Sequence, residues 1–441
     1  MSESTVPTSL QQESRLRSLS RYGPTGPTAA CWRLDGVHPE ALVEALRMVV
    51  GRHDALRMSF PRAGADPLTA RVAPPAQAPV VIEESEVDRD TDEGTVRARL
   101  RARLQDPFAP DAEALHRFVL LHRGRDTVFL GMAVDHMVWD GLSLRRFVAD
   151  LRRGYSRGPA ALAAPAPSYG EFSRLQRRLA DSAEGRSRTA FWEERFAGWG
   201  GYPPDSGLST AGQEAVLGQG QEPVAVERQL DAAAWRALRE HAARERATVF
   251  AVTAAALLEA QGELSGRSRV GLVTETHGRV LPGTAATLGL FSHGIPLFVD
   301  LDAAPPARRI AQVGEVTMDA VERGVPLRPL HARWLGGRGL AERATAFLYF
   351  GVEDAGLFAG LDLPRTAVTP FPLYPEGATR PGRASDMLAV HLVVERGEPG
   401  PEPVLHAQFD PAVFDAGTVR RLLDRTVELL PSAPRPSTPR R

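Results

Sequence analysis

Apolar residues recur along the chain in two rhythms: short continuous runs that suit strands, and three-and-four spacings that line one face of a helix. The run Thr28 to Leu34 is followed by the turn-forming Asp35-Gly36. From Pro39 to Arg52 the helical period takes over, with Leu42, Leu46, Val49 and Val50 on one inward face. Val80 to Glu83 reads as a short strand and Thr95 to Leu104 as an arginine-rich helix. Arg117 to Leu121 and Thr127 to Val134 are apolar strands joined by the turn-like Arg123-Gly124-Arg125-Asp126. The helical period returns from Leu142 to Tyr155, where Leu144, Phe147, Val148 and Leu151 share a side.

Pro159 to Pro167 is rich in Pro and Ala and predicts a linker or crossing loop. A helix pair, Tyr169 to Leu179 and Thr189 to Phe196, precedes a Gly- and Pro-rich loop reaching about Pro223. The second half repeats the style of the first. A strand near Val224 to Leu230 leads into helices Ala232 to Ala243 and Val249 to Ala260, then a strand Val270 to Thr274. Further strands are predicted at Ala344 to Phe350, Leu388 to Glu395 and Val404 to Phe409, with a last helix near Thr418 to Leu430. Strands and helices are interspersed in both halves, so the pattern predicts an α/β protein of two similarly built lobes. The Pro-, Ser- and Arg-rich stretch 431–441 predicts a disordered tail.

Composition narrows the chemistry. A chain of 441 residues is too long for one compact core. All 53 residues of the lysine/arginine kind are arginine, which removes Schiff-base enzymes and the Walker phosphate loop, both of which need a lysine. Cys31 is the one cysteine, so no internal disulfide framework or multi-cysteine metal site is available, and its place in an apolar run predicts a buried thiol. A formal net charge of −1 gives no sign of a nucleic-acid partner. The polar stretch Met1 to Leu19 lacks the apolar run of a signal peptide, and no stretch reaches the roughly 18 to 20 apolar residues of a membrane span. A cytoplasmic protein without membrane partners is the expectation.

The segment carrying the most chemistry is Gly131-Met132-Ala133-Val134-Asp135-His136-Met137-Val138-Trp139-Asp140-Gly141. An apolar strand ends in Asp-His, and five residues after His136 a glycine opens a helix whose first turn contains Ser143. The N-terminus of such a helix offers free N–H groups and a positive dipole end to developing negative charge. On the residues alone, two readings stand: a reaction centre, or a structural histidine beside an aspartate that caps the helix. With two candidate ligands and no HExxH pattern, His136 and Asp140 do not predict a metal site. Gly154-Tyr155-Ser156-Arg157-Gly158 fits the GxSxG nucleophile elbow, yet a helix precedes it where the elbow requires a strand, so it reads as a helix end closed by Gly158. Gly336-Gly337-Arg338-Gly339 reads as a loop.

Asp135-His136-Met137-Val138-Trp139-Asp140-Gly141 resembles the HHxxxDG signature of condensation domains of nonribosomal peptide synthetases, in the chloramphenicol acetyltransferase-like superfamily, at every fixed place but the first. Arg52-His53-Asp54-Ala55-Leu56-Arg57-Met58-Ser59-Phe60 resembles the family's RHEALRTRF segment, and Gly289-Leu290-Phe291-Ser292-His293-Gly294-Ile295-Pro296-Leu297 its GFFVNTLPL segment, with Thr274 to Arg279 ahead of it at the usual interval. The resemblance runs from about Thr8 to Leu430 and covers one condensation domain, with no adenylation or carrier domain attached.

That resemblance implies two chloramphenicol-acetyltransferase-like lobes, 1–175 and 176–430, each a mixed sheet flanked by helices, with the active site in the cleft between them. It implies a stand-alone acyltransferase of natural-product biosynthesis, forming an amide or ester by attack of an amine or alcohol on a carrier-bound acyl thioester. His136 matches the reaction-centre histidine, and imidazole, with an ordinary pKa of about 6.5, can take a proton at working pH. Gly141 is implied to offer its N–H to the oxyanion, and Asp140 to pair with Arg57. Asp135, in place of the first histidine, is assigned a supporting role, and Trp139 is assigned to substrate. His293, in place of the family's asparagine, either lines the substrate channel or is a neutral replacement. The donor is a phosphopantetheine-linked thioester arriving as substrate, with no permanent cofactor. An acyl or peptidyl carrier protein is the implied partner, with Arg17, Arg21, Arg145, Arg146, Arg152 and Arg153 as basic surface for it. Two rivals remain: an acyl-CoA-dependent transferase, and a non-catalytic domain of this fold that recruits a partner enzyme.

Overall fold

The structure, a computed structural model, describes residues 4–22, 26–61, 68–109, 111–158, 167–199, 201, 204–210, 223–325, 346–354, 360–373, 387–394 and 402–431. Most of the Pro/Ala-rich linker, the glycine loop at 336–339 and all of the predicted tail beyond Pro431 lie outside the described residues. In chain order the elements are β1 (Ser4–Pro7), α1 (Leu10–Tyr22), β2 (Thr28–Asp35), α2 (Pro39–Arg52), a 3-10 turn (Asp54–Arg57), β3 (Met58–Ser59), β4 (Thr69–Val72), β5 (Ile82–Val87), α3 (Glu93–Leu104), β6 (His116–Arg123), β7 (Thr127–Val134), a second 3-10 turn (His136–Val138), α4 (Gly141–Arg157), α5 (Tyr169–Asp181), α6 (Ala183–Trp199), β8 (Val224–Gln229), α7 (Ala232–Arg244), α8 (Val249–Ser265), β9 (Arg269–Thr276), β10 (His293–Asp300), α9 (Arg309–Glu322), β11 (Phe347–Asp354), β12 (Ala367–Pro370), β13 (Met387–Val394), β14 (Val404–Phe409) and α10 (Ala416–Leu429).

Two compact units divide the chain. The first takes Met1–Arg186, His277–His293 and Leu357–Arg380. Its larger sheet has the order β12-β2-β7-β6-β5, antiparallel except where β5 joins β6 in parallel. β7 lies at the centre and is buried along nearly its whole length, which is why its sequence reads as a continuous apolar run. α2 and α4 bury the faces that the spacing predicts, Leu42, Leu46, Val49 and Val50 on α2 and Leu144, Phe147, Val148 and Leu151 on α4, and α3, read only as an arginine-rich helix, buries Val96, Leu100 and Leu104. The GxSxG pattern occupies the last turn of α4, where Gly158 takes φ 69° and its N–H meets the Gly154 carbonyl at 2.9 Å. A smaller sheet, β1-β4-β3, stands beside this core. Cys31 is buried on β2, and burial pushes its thiol pKa up.

The second unit takes Ser187–Thr276, Gly294–Gly356 and Pro381–Arg441. Its sheet runs β10-β9-β11-β13-β14-β8, parallel at β9–β11–β13 and antiparallel from β13 to β8. α8 is buried almost all round from Ala251 to Gly262, and α10 buries Val419, Leu422 and Leu423. Each unit is therefore a mixed sheet flanked by helices, the α/β construction expected from the sequence. The first unit also incorporates two segments from far along the chain. β12 pairs with β2 from Ala367↔Asp35 to Pro370↔Trp32, and residues 277–293 join the strand-to-helix junction described next. Among the described residues no helix is long and apolar enough to cross a membrane.

Candidate active site

The site grows from the end of β7. At Asp135 the chain leaves the sheet, and the Asp135 carboxylate accepts the Met137 N–H at 2.7 Å, closing the 3-10 turn. Arg15 of α1 stands 3.4 Å from the same carboxylate, and Gln12 donates to the Met137 carbonyl at 3.0 Å. The turn is thus held by its own cap and by α1. Every residue from Gly131 to Asp140 is buried except His136, which is half-buried, and its ring makes no hydrogen bond among the described residues. A well-capped frame thus presents one half-buried imidazole. Gly141, exposed, is the first residue of α4 and follows the helix cap.

That cap is Asp140. Its two oxygens accept from six donors: Ser143 N at 2.9 Å, Ser143 Oγ at 2.8 Å, Arg279 Nη1 at 2.6 Å, Arg279 Nη2 at 2.9 Å, Phe291 N at 3.0 Å and Ser292 N at 3.3 Å. Asp140 is 1% exposed and the Arg279 side chain 7%, so this is a buried bidentate pair. Arg279 also lies over the Phe291 ring, 4.2 Å from its centroid. The pairing corrects the expectation that Asp140 meets Arg57. Arg57 donates instead to the Ala73 carbonyl, and burial lowers its pKa, with the charge of Asp54 offsetting part of that effect. The physical reason is placement: Arg57 ends a turn that faces β4, while the loop 277–293 brings Arg279 directly onto the cap.

Ser143, marked in the sequence only for its place in the first turn of α4, completes the frame together with Tyr169 and Gln11, to which the sequence alone assigns no part in the site. Ser143 Oγ, whose proton goes to Asp140, accepts the Gly289 N–H at 3.1 Å, Tyr169 Oη donates to the Leu290 carbonyl at 2.6 Å, and Gln11 donates to the Phe291 carbonyl at 2.8 Å. Two glycines are required by close approach. A Cβ on Gly289 would stand 2.0 Å from the Tyr169 ring, and one on Gly278, at φ 62°, would stand 1.9 Å from the Phe291 oxygen.

The remaining candidates fall into different places. Trp139 is 1% exposed and packs edge-on against Phe147, with ring centroids 5.7 Å apart. Its assignment to substrate is corrected, because an indole enclosed in the core has no face left for a ligand. His293 closes the loop 277–293, its Nδ1 3.2 Å from the Phe291 carbonyl and its Nε2 buried without a partner. Burial above all, with His277 nearby, lowers its pKa to about 4, so the ring is neutral at pH 7. Of the arginines assigned to basic surface, Arg17 pairs with Glu13, Arg146 with Asp150 and Arg152 with Asp362, which neutralises much of that charge.

Comparison with known proteins gives this geometry a context. The family model described as condensation domain matches residues 28–334. Phosphinothricin tripeptide synthetase PhsC of Streptomyces viridochromogenes is 26% identical over 401 residues, covering 88% of this chain and 35% of its own length. The isonitrile lipopeptide synthase of Mycobacterium tuberculosis is 28% identical over 440 residues, covering 94% of this chain and 17% of its own. The chain thus spans about a third or less of the length of these curated relatives. Among solved structures, the X-domain in complex with OxyB from teicoplanin biosynthesis aligns with a TM-score of 0.75 at 22% identity, over 96% of this chain and 92% of that one. The condensation domain of the monacolin K polyketide synthase MokA aligns with a TM-score of 0.74 at 18% identity, over 97% and 96%. These likenesses show the fold, with its two chloramphenicol-acetyltransferase-like lobes.

Proposed function

This chain belongs to the condensation-domain family, and from that premise we propose that it transfers an acyl group from a carrier-protein thioester to a small amine or alcohol, with His136 at the reaction centre. The observation that carries the reading is His136 half-buried where every other residue from Gly131 to Asp140 is buried, at a doubly capped strand-to-helix junction. The chemistry needs no redox partner and no covalent enzyme intermediate. The acceptor's nitrogen or oxygen attacks the thioester carbonyl, its proton passes to the imidazole, and the tetrahedral oxyanion is met by the N–H groups at the start of α4, Gly141 first. Collapse breaks the C–S bond, and the phosphopantetheine thiolate takes the proton back as the amide or ester is released. Asp135 and Asp140 act as positioning residues, and His293, neutral and closing the adjacent loop, is a candidate contact for substrate.

The donor test compares one acyl group on a carrier protein, on truncated pantetheine and on CoA, drawn from a panel of acyl groups and read as kcat/KM with a common amine acceptor. Contacts remote from the reacting carbon contribute to orientation, so the carrier-bound donor is expected to exceed the others by about tenfold or more. Equal use of CoA replaces the carrier reading with the CoA-dependent one. A second reading rests on Asp135 standing where the family's first histidine stands, together with the likeness to an X-domain solved in complex with OxyB. In that reading the chain recruits a partner enzyme, and no donor in the panel supports transfer.

A further inference from the structure

Within the first unit, a cavity of about 220 Å³ is lined by Val6 of β1, Asp54 and Arg57 of the first 3-10 turn, Val72 of β4, Pro74, and Arg174 of α5, among others. Arg57 is 8% exposed. Of its five N–H donors, one meets the Ala73 carbonyl, while Nε is buried with no partner, and no carboxylate of the described residues lies within ion-pair distance. Asp54, the acid whose charge acts on Arg57, has both oxygens engaged by the N–H groups of Tyr169 and Gly170 at 2.9 and 2.8 Å. Burying a guanidinium is costly, the charge of Asp54 offsets only part of that cost, and the planar fork of Arg57 matches a carboxylate. Arg174, exposed at the cavity, adds a second positive charge.

We infer that this cavity binds a small monocarboxylate, its carboxyl group on Arg57 and its short apolar body against Val6, Val72 and Pro74. The Asp54 carboxylate in the wall disfavours a dianion such as phosphate, and the first N–H groups of α5, which would otherwise serve one, are already taken. The volume holds about seven waters at roughly 30 Å³ each, or one ligand of propionate or butyrate size with water beside it.

The test is a titration of the full chain with sodium propionate at ionic strength held constant with sodium chloride, followed by saturation-transfer NMR of the propionate methyl. It is read on the protein alone, so its outcome is independent of acyl transfer. Saturable binding is expected in the wild type, weakened about tenfold or more by Arg57→Gln, which removes a charge-assisted hydrogen bond. Arg174→Glu, at an exposed position, is expected to weaken binding several-fold without touching the core, and it carries the test should Arg57→Gln not fold. The inference is overturned by the absence of saturable binding in the wild type, by unchanged binding in the folded variants, or by inorganic phosphate binding as tightly as propionate.

Discussion

Asp140 is the residue on which the site's geometry turns, because six donors from three stretches of chain converge on its two oxygens. Removing a buried partner strands the other charge, so Asp140→Ala is expected to lower unfolding free energy by about 3 to 5 kcal/mol, and Arg279→Ala by a similar amount. Chemical denaturation reads both, and a double variant no worse than either single one identifies a shared interaction. An Asp140→Ala protein with the parent's midpoint would remove Asp140 from the frame. The seven-residue motif made Asp140 legible as a cap and as one half of an ion pair. It could not name the partner, since nothing in the spacing distinguishes Arg57 from Arg279, and the latter is brought in only by the fold. Trp139 failed for the same reason: a motif marks position in the chain, and burial is decided by what packs around it.

At the scale of elements, the loop 277–293 matters more than its lack of regular structure suggests. It carries Arg279 to the cap of α4 and rests on Tyr169 and Gln11, and two glycines let it lie that close. Gly278→Ala places a methyl 1.9 Å from a backbone oxygen at φ 62°, where neither atom can yield cheaply. A loss of about 1 to 3 kcal/mol or more is expected, against a change within roughly 0.5 kcal/mol for Val280→Ala, which alters a 58% exposed side chain on the same loop. Equal midpoints for the two variants would contradict the packing. Strongly periodic elements were readable: β7, α2 and α4 appear within a few residues of their predicted bounds. β1, β4 and β12 were not, because strands of four residues offer too few positions for a period, and β12 ends in a proline tolerated only at the sheet edge it occupies.

For the whole molecule, the interspersed strands and helices gave the α/β class and two similar lobes, while the composition of the first unit was out of reach of any single cut in the sequence. Pairings such as β12 with β2 join residues more than three hundred positions apart, and no local pattern encodes them. The family assignment rests on residues 28–334 as a whole and frames one claim above the others, that the imidazole left open at the end of β7 performs the proton transfer. The most direct measurement is the single-turnover rate of acyl transfer from a loaded carrier protein by wild type and by His136→Ala, with unfolding midpoints recorded for both. The account predicts a rate lower by about 10² to 10⁴ at an unchanged midpoint; transfer at the wild-type rate by a folded His136→Ala protein would contradict it.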